Sequence, residues 1–147
     1  MPWTDSAVMS QKTDIVLLRI GWICLAVVSL GILVFGVIVI AVPSGAGQLL
    51  YTADGLACIG LGLYGGLLTL IPYRRREKWA WWAIWFYPVF WAAHLIFHLP
   101  PGTDHVHQYA FIALSLIGLL LPIRSFFPPG TDARRRTSAP VTRQKDR

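Results

Sequence analysis

The chain has 147 residues, of which 55% are apolar and 14% charged, with a formal net charge of +6 and a mean hydropathy of +0.55. A soluble domain carries about 25% charged residues, so this chain has too few polar side chains to coat a water-soluble globule. An ordinary cytosolic enzyme, a disordered chain and a secreted disulfide scaffold are excluded, which leaves a single-domain integral membrane protein.

Residues 1–13 read as a polar N-terminal tail and 14–127 as the membrane domain. The first apolar run, 15–42, holds one charge, Arg19, near its start, where a long stem can reach the headgroups. Thr13 or Asp14 is the expected N-cap, and Pro43-Ser44-Gly45 ends the helix. The run is too long for a signal peptide and no small-residue cleavage site follows it. The second run, 48–71, stops at Pro72; the third, 78–99, stops at Pro100-Pro101-Gly102. The fourth, 106–127, stops at Pro128-Pro129-Gly130, and 128–147 is a basic tail. A bilayer core of roughly 30 Å needs about 20 helical residues, so each run is long enough to span. The predicted fold is an all-α four-helix membrane bundle.

Orientation follows from the basic residues. Lys12 and Arg19 lie before or at the start of the first run. Arg74, Arg75, Arg76 and Lys78 fill the second loop, and Arg124, Arg134, Arg135, Arg136, Arg143, Lys145 and Arg147 follow the fourth run or sit at its end. The first and third loops carry no basic residue. The positive-inside rule then places both termini and the second loop in the cytoplasm of a multi-pass protein of the inner or plasma membrane. The arginines at 74–76 and 134–136 are expected to contact anionic lipid; nothing in the pattern points to nucleic acid.

Small residues mark the packing faces. Cys58, Gly62 and Gly66 lie four apart, on one stripe with Asp54, and let another helix approach closely, inside the bundle or as a docking seam. Cys24 and Cys58 have no metal or redox spacing and read as packing residues. Trp79, Trp81, Trp82 and Trp85 fall beside the basic loop, where an aromatic belt anchors a span, and Pro88 should kink the third helix.

All four histidines fall between 94 and 107. His94 and His98 share a helical face with Tyr87 and Trp91, within about 60° of one another. Asp104, His105, His107 and Gln108 cap the same end, and Asp54 joins them if the second and third helices are neighbours. A polar outer rim, a metal site and a pH-responsive gate are the three readings. The metal set would be His94, His98, His107 and Asp104, holding zinc or another transition metal. The sequence itself requires no cofactor. No nucleophile–base pair, carboxylate pair or phosphate loop is present, and Ser115 lies mid-span.

The segment Tyr73-Arg74-Arg75-Arg76-Glu77-Lys78-Trp79-Ala80-Trp81-Trp82-Ala83-Ile84-Trp85, followed by Pro88, and the ending Gly118-Leu119-Leu120-Leu121-Pro122 resemble small four-span bacterial membrane proteins. The resemblance covers roughly 55–127 and implies a fold and a membrane but no activity. The span arrangement also resembles sterol-isomerase-like bundles, whose paired cavity acids have no counterpart here. The leading expectation is a non-enzymatic accessory or scaffold subunit that packs against lipids, other membrane proteins or a second copy. The alternative is a protein, an enzyme included, that binds a metal or a small apolar ligand at the outer histidines.

Overall fold

The computed structural model describes residues 3–42, 47–97 and 106–128, and it is all-helical, with no strand among the described residues. The elements are α1 (Trp3–Ala41), α2 (Gln48–Leu68), a π-helical turn (Thr69–Tyr73), α3 (Lys78–Ile84), α4 (Phe86–Ile96), α5 (Val106–Leu120) and α6 (Ile123–Phe126). Two helical stretches, Lys12–Ala41 and Gln48–Tyr73, are long and apolar enough to cross a membrane. The other two apolar runs are each divided.

Prolines set these divisions. Pro88 has no N–H for the carbonyl of Ile84, so the third run breaks at Trp85, which closes a tighter turn onto Trp82 at 3.2 Å. Pro122 divides the fourth run in the same way, between α5 and α6. Pro72 instead sits inside a widened turn, where each N–H reaches back five residues and the missing donor is bypassed. Two expectations for the N-terminus are corrected. The chain is already helical at Trp3, and neither Thr13 nor Asp14 caps the helix; Thr13 lies inside α1 and its hydroxyl donates to the Met9 carbonyl at 3.0 Å. No proline or glycine lies between 3 and 20 to stop the helix, so it runs through the polar segment.

Neighbouring runs are antiparallel. Along α1 and α2, Gly36 lies on Gly55 and Cys58, and Leu33 and Ser29 lie on Gly62. Along α1 and α5, Gly21 and Leu25 meet Gly118, and Gly31 meets Phe111. Along the third and fourth runs, Trp91 meets His107 and Phe111, and Trp81 meets Phe127. The third run returns along α2, with Tyr87 against Gly65 and His94 facing Asp54. Between α1 and α4, Ser29 pairs with Tyr87 and Phe35 with Trp91. The core holds Leu25, Val28, Ile32, Ile84, Tyr87, Trp91 and Leu119, all buried.

The breaks also create hydrogen bonds between runs. Because Pro122 lacks an N–H, the Gly118 carbonyl four residues earlier has no helical donor. The Tyr73 hydroxyl donates to it at 2.5 Å, with the Tyr73 ring packed on Phe126 at 4.8 Å. The next carbonyl, Leu119, accepts from the Trp81 indole at 3.0 Å. Trp81 is therefore buried in the core and is not part of an anchoring belt; Trp79 and Trp82 are the ones that point outward.

Candidate functional site

The end of the molecule opposite the Arg74–Lys78 loop carries a buried polar cluster. His94, on α4, is 7% exposed. Its Nε2 lies 3.5 Å from Asp54 Oδ1 on α2, and its Nδ1 lies 3.1 Å from the Phe90 carbonyl. Both ring nitrogens thus face acceptors. A neutral imidazole has one N–H and can satisfy only one of them, whichever tautomer it adopts.

Trp91, one turn before His94, is 1% exposed. Its ring is surrounded by Phe111 at 4.9 Å, His94 at 5.4 Å, and Phe35 and His107 at 5.9 Å between centroids. Phe90 closes over His94 at 4.2 Å, and Phe35 stacks on His107 at 5.2 Å. Gln108 is buried in the same region. Among the described residues, Asp54 Oδ2, an acceptor, and the Trp91 indole N–H, a donor, lie buried in this layer with no hydrogen-bond partner. A buried polar group left unmade costs about 1–3 kcal/mol. An orphaned donor and an orphaned acceptor on two residues that each contact His94 therefore mark a place where a small polar group would be stabilised.

The sequence-predicted residues fare differently. Asp54, Trp91 and His94 come together, with His107 and Gln108 beside them. The Trp91 indole contacts both the His94 and the His107 ring. Tyr87 does not join this end. Its hydroxyl pairs with Ser29 at 2.7 Å one layer inward, and Ser29 in turn donates to the Leu25 carbonyl at 2.8 Å. His98, Asp104 and His105 fall outside the described residues, as do Arg134, Arg135 and Arg136. Among the described residues no group of three histidine, cysteine or acidic side chains is placed to hold a metal. Asp54 and His94 supply two ligands, and a third would have to come from His98, Asp104 or His105.

Sequence reasoning missed Ser29, Phe35 and Phe90. Ser29 was findable, because it is the only hydroxyl in the run 15–42 and so wants a partner. The two phenylalanines carry no such signal in an apolar chain. Cys58 and Gly62 are covered by α1; a Cβ on Gly62 would lie 2.7 Å from the Leu33 backbone nitrogen. A Cβ on Gly66 would meet only Ser29, at an ordinary 3.8 Å. At the basic end, Arg74 lies over the Trp22 ring at 4.9 Å, and Arg76 takes a left-handed backbone with φ 60 that closes the loop into α3.

The chain matches no family model, no curated protein and no solved structure.

Proposed function

We propose that this chain is a four-span protein of the bacterial cytoplasmic membrane, with both termini inside, and that it binds a small ligand at the outer Asp54–His94–Trp91 cluster. The observation that carries this reading is the pair of buried His94 and half-buried Asp54, beside two orphaned polar atoms, Asp54 Oδ2 and the Trp91 indole N–H. Ionisable side chains within membrane helices are expensive, and they mark functional sites by default. The ligand is one that donates to Asp54 Oδ2 and accepts from the Trp91 indole, or a metal completed by His98 or Asp104. Four antiparallel runs support the span count. So does the exposed apolar stripe Ile20, Ile23, Val27, Leu30, Val34 and Val37 on a helix whose other face is also apolar, because a helix apolar all round belongs in lipid. The test is mass spectrometry and metal analysis of the detergent-purified protein beside Asp54→Asn and His94→Ala. A stoichiometric small molecule or metal, lost in both variants, supports the site. Identical contents in all three proteins overturn it.

The accessory-subunit reading keeps one specific support, but on another face. The Gly62 stripe is occupied by α1. On the outside of α2, Ala53, Ala57 and Gly60 are exposed, and a Cβ at Gly60 would meet nothing within 4 Å. A partner helix, from another membrane protein or a second copy, fits there. Loss of co-purification or of self-association in Gly60→Leu, with the fold intact, is the result that supports it.

A further inference from the structure

The basic end of the α1/α2 pair carries a second site. A groove of about 430 Å³ runs between these helices on their outer side, with Ala26 and Leu30 on one wall, Leu67 and Leu70 on the other, and Gly62 and Gly66 as its floor. Leu70 also lines a polar recess of about 340 Å³, whose other walls are Ile71, Arg74 and Arg75. Apolar groove and basic recess thus adjoin one another, with Leu70 as a wall of both. Among the described residues neither Arg74 nor Arg75 is paired with a carboxylate. Arg74 is held in place by the face of Trp22 at 4.9 Å.

The dimensions fit one leaflet. Gly62 and Arg74 are twelve residues apart, roughly 18 Å at 1.5 Å per residue, against about 15 Å for half of a hydrocarbon core. We propose that this groove seats one acyl chain of an anionic phospholipid whose phosphate is held by Arg74 and Arg75. The proposal rests on the four-span reading, which puts the basic end at the cytoplasmic leaflet. Guanidinium groups match phosphate oxygens in charge and geometry. Gly66 leaves depth that a larger side chain would fill, since a Cβ there would meet only Ser29, at 3.8 Å. Charge selects the headgroup and the groove selects a chain, so a soluble phosphate meets only half of the site.

The experiment titrates the delipidated full-length protein in detergent with phosphatidylglycerol and with phosphatidylcholine of the same acyl chains, read by native mass spectrometry. The wild type should prefer phosphatidylglycerol by about tenfold or more. Arg74→Gln/Arg75→Gln should bring the two lipids within about twofold, while Arg124→Gln, a charge at the same end, should leave the preference unchanged. Gly66→Leu should lower phosphatidylglycerol binding; Leu30→Trp, at an exposed wall position, fills the same groove if Gly66→Leu does not fold. Equal binding of the two lipids by the wild type overturns the proposal. So does an equal loss in Arg124→Gln, or binding indifferent to both groove-filling variants. Sidedness is read separately by cysteine accessibility, so wrong sidedness is the failure of the four-span reading, and correct sidedness without lipid preference is the failure of this site alone.

Discussion

Replacing Tyr73 by phenylalanine removes one hydroxyl and keeps the ring on Phe126. In the wild type the Gly118 carbonyl then loses its donor, because Pro122 offers none. Leaving such a buried acceptor unmade costs about 1–3 kcal/mol, and side-chain hydrogen bonds between membrane helices reach about 1.7 kcal/mol. We expect Tyr73→Phe to destabilise by about 1–2 kcal/mol, roughly a tenfold shift in the folding equilibrium. Pro122→Ala supplies an N–H where the helix would place it, within reach of the same carbonyl. It also removes a ring that packs near Gly21, so it has a cost of its own. In the Pro122→Ala background, however, Tyr73→Phe should cost only a few tenths of a kcal/mol, because the carbonyl has a second donor. The double-mutant cycle removes the shared packing term. The assay is denaturant-driven unfolding in mild detergent, followed by tryptophan fluorescence. An equal cost of Tyr73→Phe in both backgrounds would refute the claim that the proline creates the acceptor that Tyr73 satisfies.

Two further outcomes follow from the packing. Gly62→Leu should abolish the folded state, since its Cβ would lie 2.7 Å from one α1 backbone atom and 2.8 Å from another, whereas Gly60→Leu should leave the unfolding midpoint within error; thermal unfolding in detergent compares them. Cys58 is fully buried and Cys24 partly exposed, so maleimide labelling of the folded protein should vanish in Cys24→Ser and return on denaturation; rapid labelling of Cys58 in the folded protein would contradict the α1/α2 interface.

Much of the fold was legible because apolar run length and proline position are local signals. Pro72, Pro88 and Pro122 each fall where the structure bends, widens or breaks. The start of α1 was not legible, because polar helix-forming residues such as Gln11 and Lys12 read as tail when only hydropathy is scored. Glycine spacing identified a close-packed face but not which helix fills it; that depends on the register of α1 against α2, which pairs Gly62 with Leu33 and Ser29. Of the cluster, Asp54 was readable as a lone acid in a span, and His94 as its neighbour on an adjacent helix. The orphaned Trp91 indole was not, since a tryptophan near a membrane end reads as an anchor until its burial is known.

An outward-facing Asp54–His94 site requires four spans with the basic loop inside and the His94 end outside. The direct measurement is labelling of single cysteines by a membrane-impermeant maleimide, in a Cys24→Ser/Cys58→Ser background, in intact and in permeabilised cells. Gly47→Cys and Gly102→Cys should be labelled in intact cells, and Arg76→Cys and Ser138→Cys only after permeabilisation. Labelling of Arg76→Cys from outside, or of Gly47→Cys and Gly102→Cys only after permeabilisation, would contradict the topology and with it the outer placement of the Asp54–His94 site.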